Sequence, residues 1–157
     1  MPDPIVEQIA KRIAVELATV TTANGYQFDV AGVIRPTRFG EYVPQDLLVV
    51  LHQGDATRAE DAETQTGGFV NWWQEWAIDL IVSPARGSTD PVDERTNQFA
   101  ADVEKAVMTD VRHNSLALDS MMIGREQFIA DSGAFGGARL ILATHYGTEE
   151  ADPYTGR

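Results

Sequence analysis

The chain has 157 residues, 43% of them hydrophobic, no cysteine and a formal net charge of −12. The lack of cysteine removes disulfides, thiolate catalysis and Cys-based zinc sites. Two lysines and ten scattered arginines form no basic patch able to grip a nucleic-acid backbone.

The length fits a single domain, 1–157, with a sizeable core. The N-terminus has no basic n-region followed by an unbroken apolar stretch, and no apolar run approaches the ~20 residues that span a bilayer. A soluble protein of the host cytoplasm is expected.

Asp3-Pro4 opens a helix, Asp3 as a cap and Pro4 where its missing N–H costs nothing. Ile5, Ile9, Ile13, Leu17 and Val20 form its apolar stripe, with Glu7, Lys11 and Arg12 off it. Asn24-Gly25 ends the helix and turns the chain. From Tyr26 to Ile34 apolar residues alternate, which predicts a strand broken by Pro36 and Gly40. Residues 47–52 are apolar on both faces, as in a central strand or one covered by a neighbouring subunit. The acidic, small-residue segment 54–68 reads as a mobile loop that orders on a partner.

Residues 69–82, FVNWWQEWAIDLIV, hold all three tryptophans and follow a strand period. Trp72, Gln74, Trp76, Ile78, Leu80 and Val82 form a buried stripe, and Asn71, Trp73, Glu75, Ala77, Asp79 and Ile81 a mostly wet one. Trp73 breaks that pattern. It lies either under a loop or helix of its own chain or at an interface core, where aromatics are enriched. Asp90-Pro91 then opens a second helix with Phe99, Val103, Val107 and Val111 four apart, ending near 112–114. Residues 118–130 read as a strand kinked at Gly124, 133–137 as a flexible connection, and 138–146 as a last strand. The tail 147–157 is polar and turn-rich. The expected fold is α+β: a mostly antiparallel, mixed sheet of about five strands with two helices packed on one face.

Local signatures of chemistry are missing. His52, His113 and His145 have no partners at metal-ligand spacing, and the acidic run Glu60, Asp61 and Glu63 lacks the alternating oxygens of a calcium loop. The glycines of 133–137 precede a strand instead of a helix N-terminus. Ser132 lacks the flanking glycines of a nucleophile elbow. The carboxylate pairs Glu75/Asp79 and Glu149/Glu150 read as exposed and simply ionised. No catalytic, cofactor or metal residue is assigned, and the chain reads as a non-enzyme.

The order of elements resembles the tail terminator (tail completion) proteins of long-tailed bacteriophages and prophages. The resemblance runs along nearly the whole chain. It rests on the opening helix with Asn24-Gly25-Tyr26, on Val33-Ile34-Arg35-Pro36, and on Pro44-Gln45-Asp46 before a strand. The Trp-containing strand, the Asp-Pro helix, and a last strand ending in His145-Tyr146 before Ala151-Asp152-Pro153-Tyr154 complete it. It implies a virion structural protein that forms a homohexameric ring at the head-proximal end of the tail tube. That ring stops tube polymerisation, meets the tail tube protein and a head-completion or connector protein, and lets DNA pass without specific binding. A ring needs two different patches per subunit. Trp73, Asp55, Arg58, Glu60, Asp61, Glu63, Tyr146 and Tyr154 are the expected interface residues. The alternatives are another head–tail connector such as a head-closure protein, or a small α+β ligand-binding domain or enzyme with a dispersed site.

Overall fold

In a computed structural model, residues 2–36, 42–59, 68–84, 89, 91–129, 135–149 and 151–156 are described. Helix α1 spans Ile5–Leu17 and α2 spans Val92–Met108. The strands are β1 (Gly32–Ile34), β2 (Leu48–Arg58), β3 (Phe69–Val82), β4 (Asp119–Ile129), β5 (Gly136–Glu149) and β6 (Asp152–Gly156). They form one mixed sheet in the order β1-β2-β3-β5-β4, with β6 folded back onto the end of β5. Among the described strands, only β1 and β2 pair in parallel. The expected α+β architecture, with both helices on one face, is the one observed.

Side-chain alternation decides where the core sits. Trp76, Ile78, Leu80 and Val82 of β3 share a face with Leu140 and Leu142 of β5. They are buried in one cluster with Ile9, Ile13 and Leu17 of α1 and Phe99, Val103 and Val107 of α2. Trp76 is fully buried, and its indole Nε1 donates to Thr144 Oγ1 at 2.9 Å. The outer face, expected to be mostly wet over 71–81, is in part buried. Leu48, Val50 and Ile81 form a second buried cluster there, with Ile34, Tyr42, Phe128 and Phe135 packed against it.

Several boundaries differ from the sequence pattern, each for a physical reason. Helix α1 stops at Leu17, well before Asn24-Gly25, because Val20 turns into the core and a β-branched run follows. Gly25, at φ 83°, closes a short 3-10 turn instead. Asp3 does not cap α1; its carboxylate pairs with Lys11. The strand expected over 26–34 shrinks to Gly32–Ile34. Buried Asp102 of α2 accepts the backbone N–H groups of Gln27 and Phe28 at 2.7 and 3.1 Å, so that stretch needs no strand partner. Helix α2 ends at Met108, short of 112–114, and turns follow it.

The first part of the expected mobile loop 54–68 is ordered as β2. Gly54–Arg58 continues the ladder with β3 past a bulge between Gln53 and Ala56. Buried Gln74 supplies the reason, since its Nε2 donates to the carbonyls of Gly54 and Asp55 that the bulge leaves unpaired. Residues 60–67 lie outside the described residues. The tail is likewise not simply polar coil, because β5 extends to Glu149 and β6 pairs with it. The connection expected at 133–137 is already strand from Gly136. At Gly137 a Cβ would lie 1.7 Å from the Leu80 carbonyl oxygen, so only glycine lets β5 approach β3 there.

Ion pairs tie loops to helices. Arg35 grips Glu7 bidentately at 2.7 and 3.0 Å, and that bond holds the Glu7 carboxyl below the usual carboxylate range. Asp46 is pushed up by burial, but Arg95 and the Ser83 N–H outweigh this and leave it lowered as well. A carboxyl lowered in the folded state stabilises above its unfolded value of about 4, and that contribution is lost as pH falls through the folded value.

Two outcomes are expected. Gly137→Ala costs about 3 kcal/mol, the upper end of overpacking penalties; an unchanged urea midpoint would mean that β3 and β5 separate freely. Glu7→Gln lowers stability at neutral pH by under about 1 kcal/mol, as for a half-exposed pair. Its urea midpoint then falls less steeply than the parent's below about pH 4. Parallel acid profiles would show that the pair contributes nothing.

Candidate functional site

Both helices lie on the inner face, and among the described residues no helix covers the outer one. Register places Trp73, Glu75 and Ala77 of β3 beside His145, Ala143 and Ile141 of β5. Met121 of β4 lies opposite Ala143, and His52 of β2 opposite Ala77. Trp73 is half-buried and stacks on the His145 ring, with centroids 4.6 Å apart and planes at 14°. Its own chain covers one ring face, from the neighbouring strand β5 instead of a loop or helix, and the residue lies on the side of the sheet away from the helices. Met121 and Ile123 are 42% and 49% exposed, an unusual load of apolar side chain on one edge strand.

Toward the other end, this face carries a charge cluster. Asp79 is buried and gripped by Arg139 at 2.7 and 2.9 Å, with His52 Nε2 3.5 Å away. The expected exposure of the Glu75/Asp79 pair is corrected for Asp79, because Arg139 folds over it; Glu75 is exposed. The same bond, chiefly, raises the proton affinity of the Arg139 guanidinium. Asn71 Oδ1 and His145 Nε2 are buried without a hydrogen-bond partner among the described residues.

The expected interface residues do not form one patch. Asp55 and Arg58 stand on the bulged half of β2, not on an arm, and Arg58 pairs in register with Trp72. Glu60, Asp61 and Glu63 lie outside the described residues. Tyr146 is corrected: it belongs to the inner face and the main core, where burial raises its phenol pKa. Tyr154 is exposed on β6, away from Trp73. Met121 and Ile123 were not among the expected residues, because an apolar strand pattern does not say which face a helix will cover.

A cleft of about 350 Å³ opens between the start of α1 and the far end of the sheet. Val6, Val70, Trp72, Tyr146, Pro4 and Pro153 give it apolar walls, and Glu149 also lines it. It exists because α1 and α2 cover only part of the inner face.

The structure also assembles three residues that are distant in sequence. Glu16 Oε2 lies 2.8 Å from His113 Nδ1, and His113 Nε2 lies 3.0 Å from Ser120 Oγ. Arg12 holds the other Glu16 oxygen at 2.9 Å. The connectivity is that of an acid–histidine–serine relay. Yet His113 is 0% and Ser120 4% exposed, so the hydroxyl has no open approach for a substrate. The arrangement acts as a tie between α1, the turn after α2 and β4. His113, Asn114 and Ser115 all have left-handed φ (47°, 61° and 65°), a conformation that persists only when its surroundings hold it. Asp110 helps, accepting from the Asn114 and Arg112 N–H groups, and the first of these chiefly lowers its carboxyl pKa. No local motif joins Glu16, His113 and Ser120, so nothing short of the fold reveals them. Among the described residues, no cluster of three His, Asp or Glu side chains is placed to hold a metal ion, and no helix is long and apolar enough to cross a membrane.

If the relay is a structural tie, its members differ in cost. His113→Ala leaves one Glu16 oxygen and the Ser120 hydroxyl without their partner and opens a buried cavity, at about 3 kcal/mol, whereas Ser120→Ala costs about 1 kcal/mol. Urea unfolding of both variants checks the order, and equal small losses would deny the tie its role. Searches for known relatives find no matching family model and no significantly similar curated protein.

Proposed function

We propose that this chain is a virion structural subunit that assembles as a ring at the head-proximal end of a phage tail tube. The ring ends tube polymerisation and offers the surface to which the head joins. The observation that carries this reading is the half-open sheet face with its Trp73–His145 stack, together with the exposure of Met121 and Ile123 on the edge strand β4. Exposed apolar side chains grouped in one region mark association sites, and aromatics and Met are enriched in interface cores. The sequence resemblance supplies the identity of the assembly. The partners it implies are further copies of the chain, the tube protein and a head-completion protein. A net charge of −12 supports a channel past which DNA slides without adhering. The same reading extends to a head-closure subunit of the neck, which would use the same surfaces.

One observation favours a different class. The cleft lined by Trp72 and Tyr146 is apolar and large enough for a small ligand. It holds few converging polar groups to orient a substrate, which places binding ahead of catalysis within that second reading.

Native mass spectrometry across a concentration series, with negative-stain imaging of large species, tests the assembly reading. Closed rings are expected, alone or on tube ends. Trp73→Ala and Met121→Asp should each weaken association while circular dichroism stays unchanged. Loss of secondary structure in Trp73→Ala would place that ring in the chain's own core. Failure to cap tube ends, with a small apolar ligand quenching tryptophan fluorescence, would favour the cleft.

A further inference from the structure

The inner face of the sheet carries one cross-strand pattern twice, with different outcomes. Trp76 pairs in register with Leu142, and Thr144 lies two residues further along β5. Trp72 pairs with Tyr146, and Thr148 lies two residues further along. The first indole is satisfied inside the core, its Nε1 donating to Thr144 Oγ1 at 2.9 Å. The second is not. Trp72 Nε1, the Tyr146 hydroxyl and the Thr148 hydroxyl enter no hydrogen bond among the described residues. They are not sealed in either, since the buried side-chain atoms without a partner there are Asn71 Oδ1 and His145 Nε2. All three residues line the cleft of about 350 Å³ at the start of α1.

The chemistry of these groups names the class of molecule that completes them. An indole N–H donates only, and a hydroxyl donates as well as accepts. Burial raises the Tyr146 phenol above its usual value, so it keeps its proton and donates at neutral pH. We propose that the cleft binds a neutral, mainly apolar ring compound bearing a carbonyl oxygen, the acceptor for the Trp72 N–H, with the Tyr146 hydroxyl as a second donor. The inference rests on the ligand-binding reading of the cleft and gives that ligand its chemistry; it does not depend on the assembly reading.

Each part of that description follows from the walls. Residues two apart on a strand share a face, so the three polar groups stand on one side of the cleft. Val6 of α1, Val70 of β3 and Pro153 of β6 make the remainder largely apolar. The cross-strand rings of Trp72 and Tyr146 offer aromatic surface, which favours a flat partner. A ligand that covers these donors without accepting from them leaves them unpaired and away from water, which is costly. Among the described residues no lysine or arginine lines the cleft, so an anion would be desolvated without a counter-charge. A cation cannot accept from the indole N–H. The volume lies at the small end of ligand sites and suits one or two rings.

Three tryptophans in three settings make a direct test. Trp76 Nε1 is bonded in the core, Trp73 lies on the outer face, and Trp72 lines the cleft. Their indole N–H signals are followed by NMR on the whole chain, assigned with Trp72→Phe and Trp73→Phe. The probes are acetylnaphthalene, ethylnaphthalene and naphthoate, which share one ring system and differ in carbonyl and charge. Acetylnaphthalene is expected to shift the Trp72 signal saturably and to leave that of Trp76 in place. Ethylnaphthalene and naphthoate should each bind roughly tenfold more weakly, or worse. Tyr146→Phe deletes only a hydroxyl without a partner in the described chain. It should weaken acetylnaphthalene roughly fivefold and leave ethylnaphthalene unchanged. Equal affinity for the ketone and the hydrocarbon would overturn the proposed class and leave the cleft a plain apolar site. Tighter binding of naphthoate would overturn the neutrality of the ligand. A response of Trp73 alone would put the compound on the outer face and overturn the site. Silence of all three signals up to the solubility limit would remove the ligand-binding reading together with the proposal.

Discussion

Burial of the inner face of β3 and β5 under α1 and α2 is the interaction from which the rest of the molecule follows. Trp76, Ile78, Leu80 and Val82 can reach the helices only if every intervening residue points the other way. That alternation places Trp73, Glu75, Ala77 and Asp79 on the opposite side, whatever their polarity. It also requires β3 and β5 to lie close, which Gly137 permits by carrying no Cβ against Leu80. The open face is thus a consequence of how the core is built.

Polar side chains do the joining that apolar packing leaves undirected. Asp102 takes two backbone donors from the segment after the 3-10 turn. Arg95 bridges α2 to Asp46 and to the Ser83 carbonyl at the ends of β2 and β3. His113 links α1 to β4 through Glu16 and Ser120. Each is buried or partly buried, and buried polar groups that are fully paired confine a core to one arrangement. The relay of Glu16, His113 and Ser120 shows how such a device can share the connectivity of a catalytic triad. Access to solvent separates the two, and here Ser120 is only 4% exposed.

The outer surface divides into parts of different character. Near β1 it is sealed by the Leu48, Val50 and Ile81 cluster, and Asp79 is covered by Arg139. Toward the far end it offers the Trp73–His145 stack and the exposed β4 side chains. On the inner side, the helices stop short and leave the cleft bounded by Trp72 and Tyr146.

The chain's own periodicities settled the two helices, the long strands and the inner stripe of β3, because residues two apart on a strand and four apart on a helix necessarily share a face. The Asp-Pro openings marked both helix starts within a residue or two. Composition alone removed cysteine chemistry. Contacts between distant residues decided the remainder. Asp102 replaced a strand at 26–30, Gln74 turned the start of an acidic loop into bulged β2, and Tyr146 went to the core through its register opposite Trp72. The relay and the exposed edge of β4 belong to the same class. Nothing local distinguishes a Met or Ile that a helix covers from one that it leaves open, since that depends on where the helices end over the sheet.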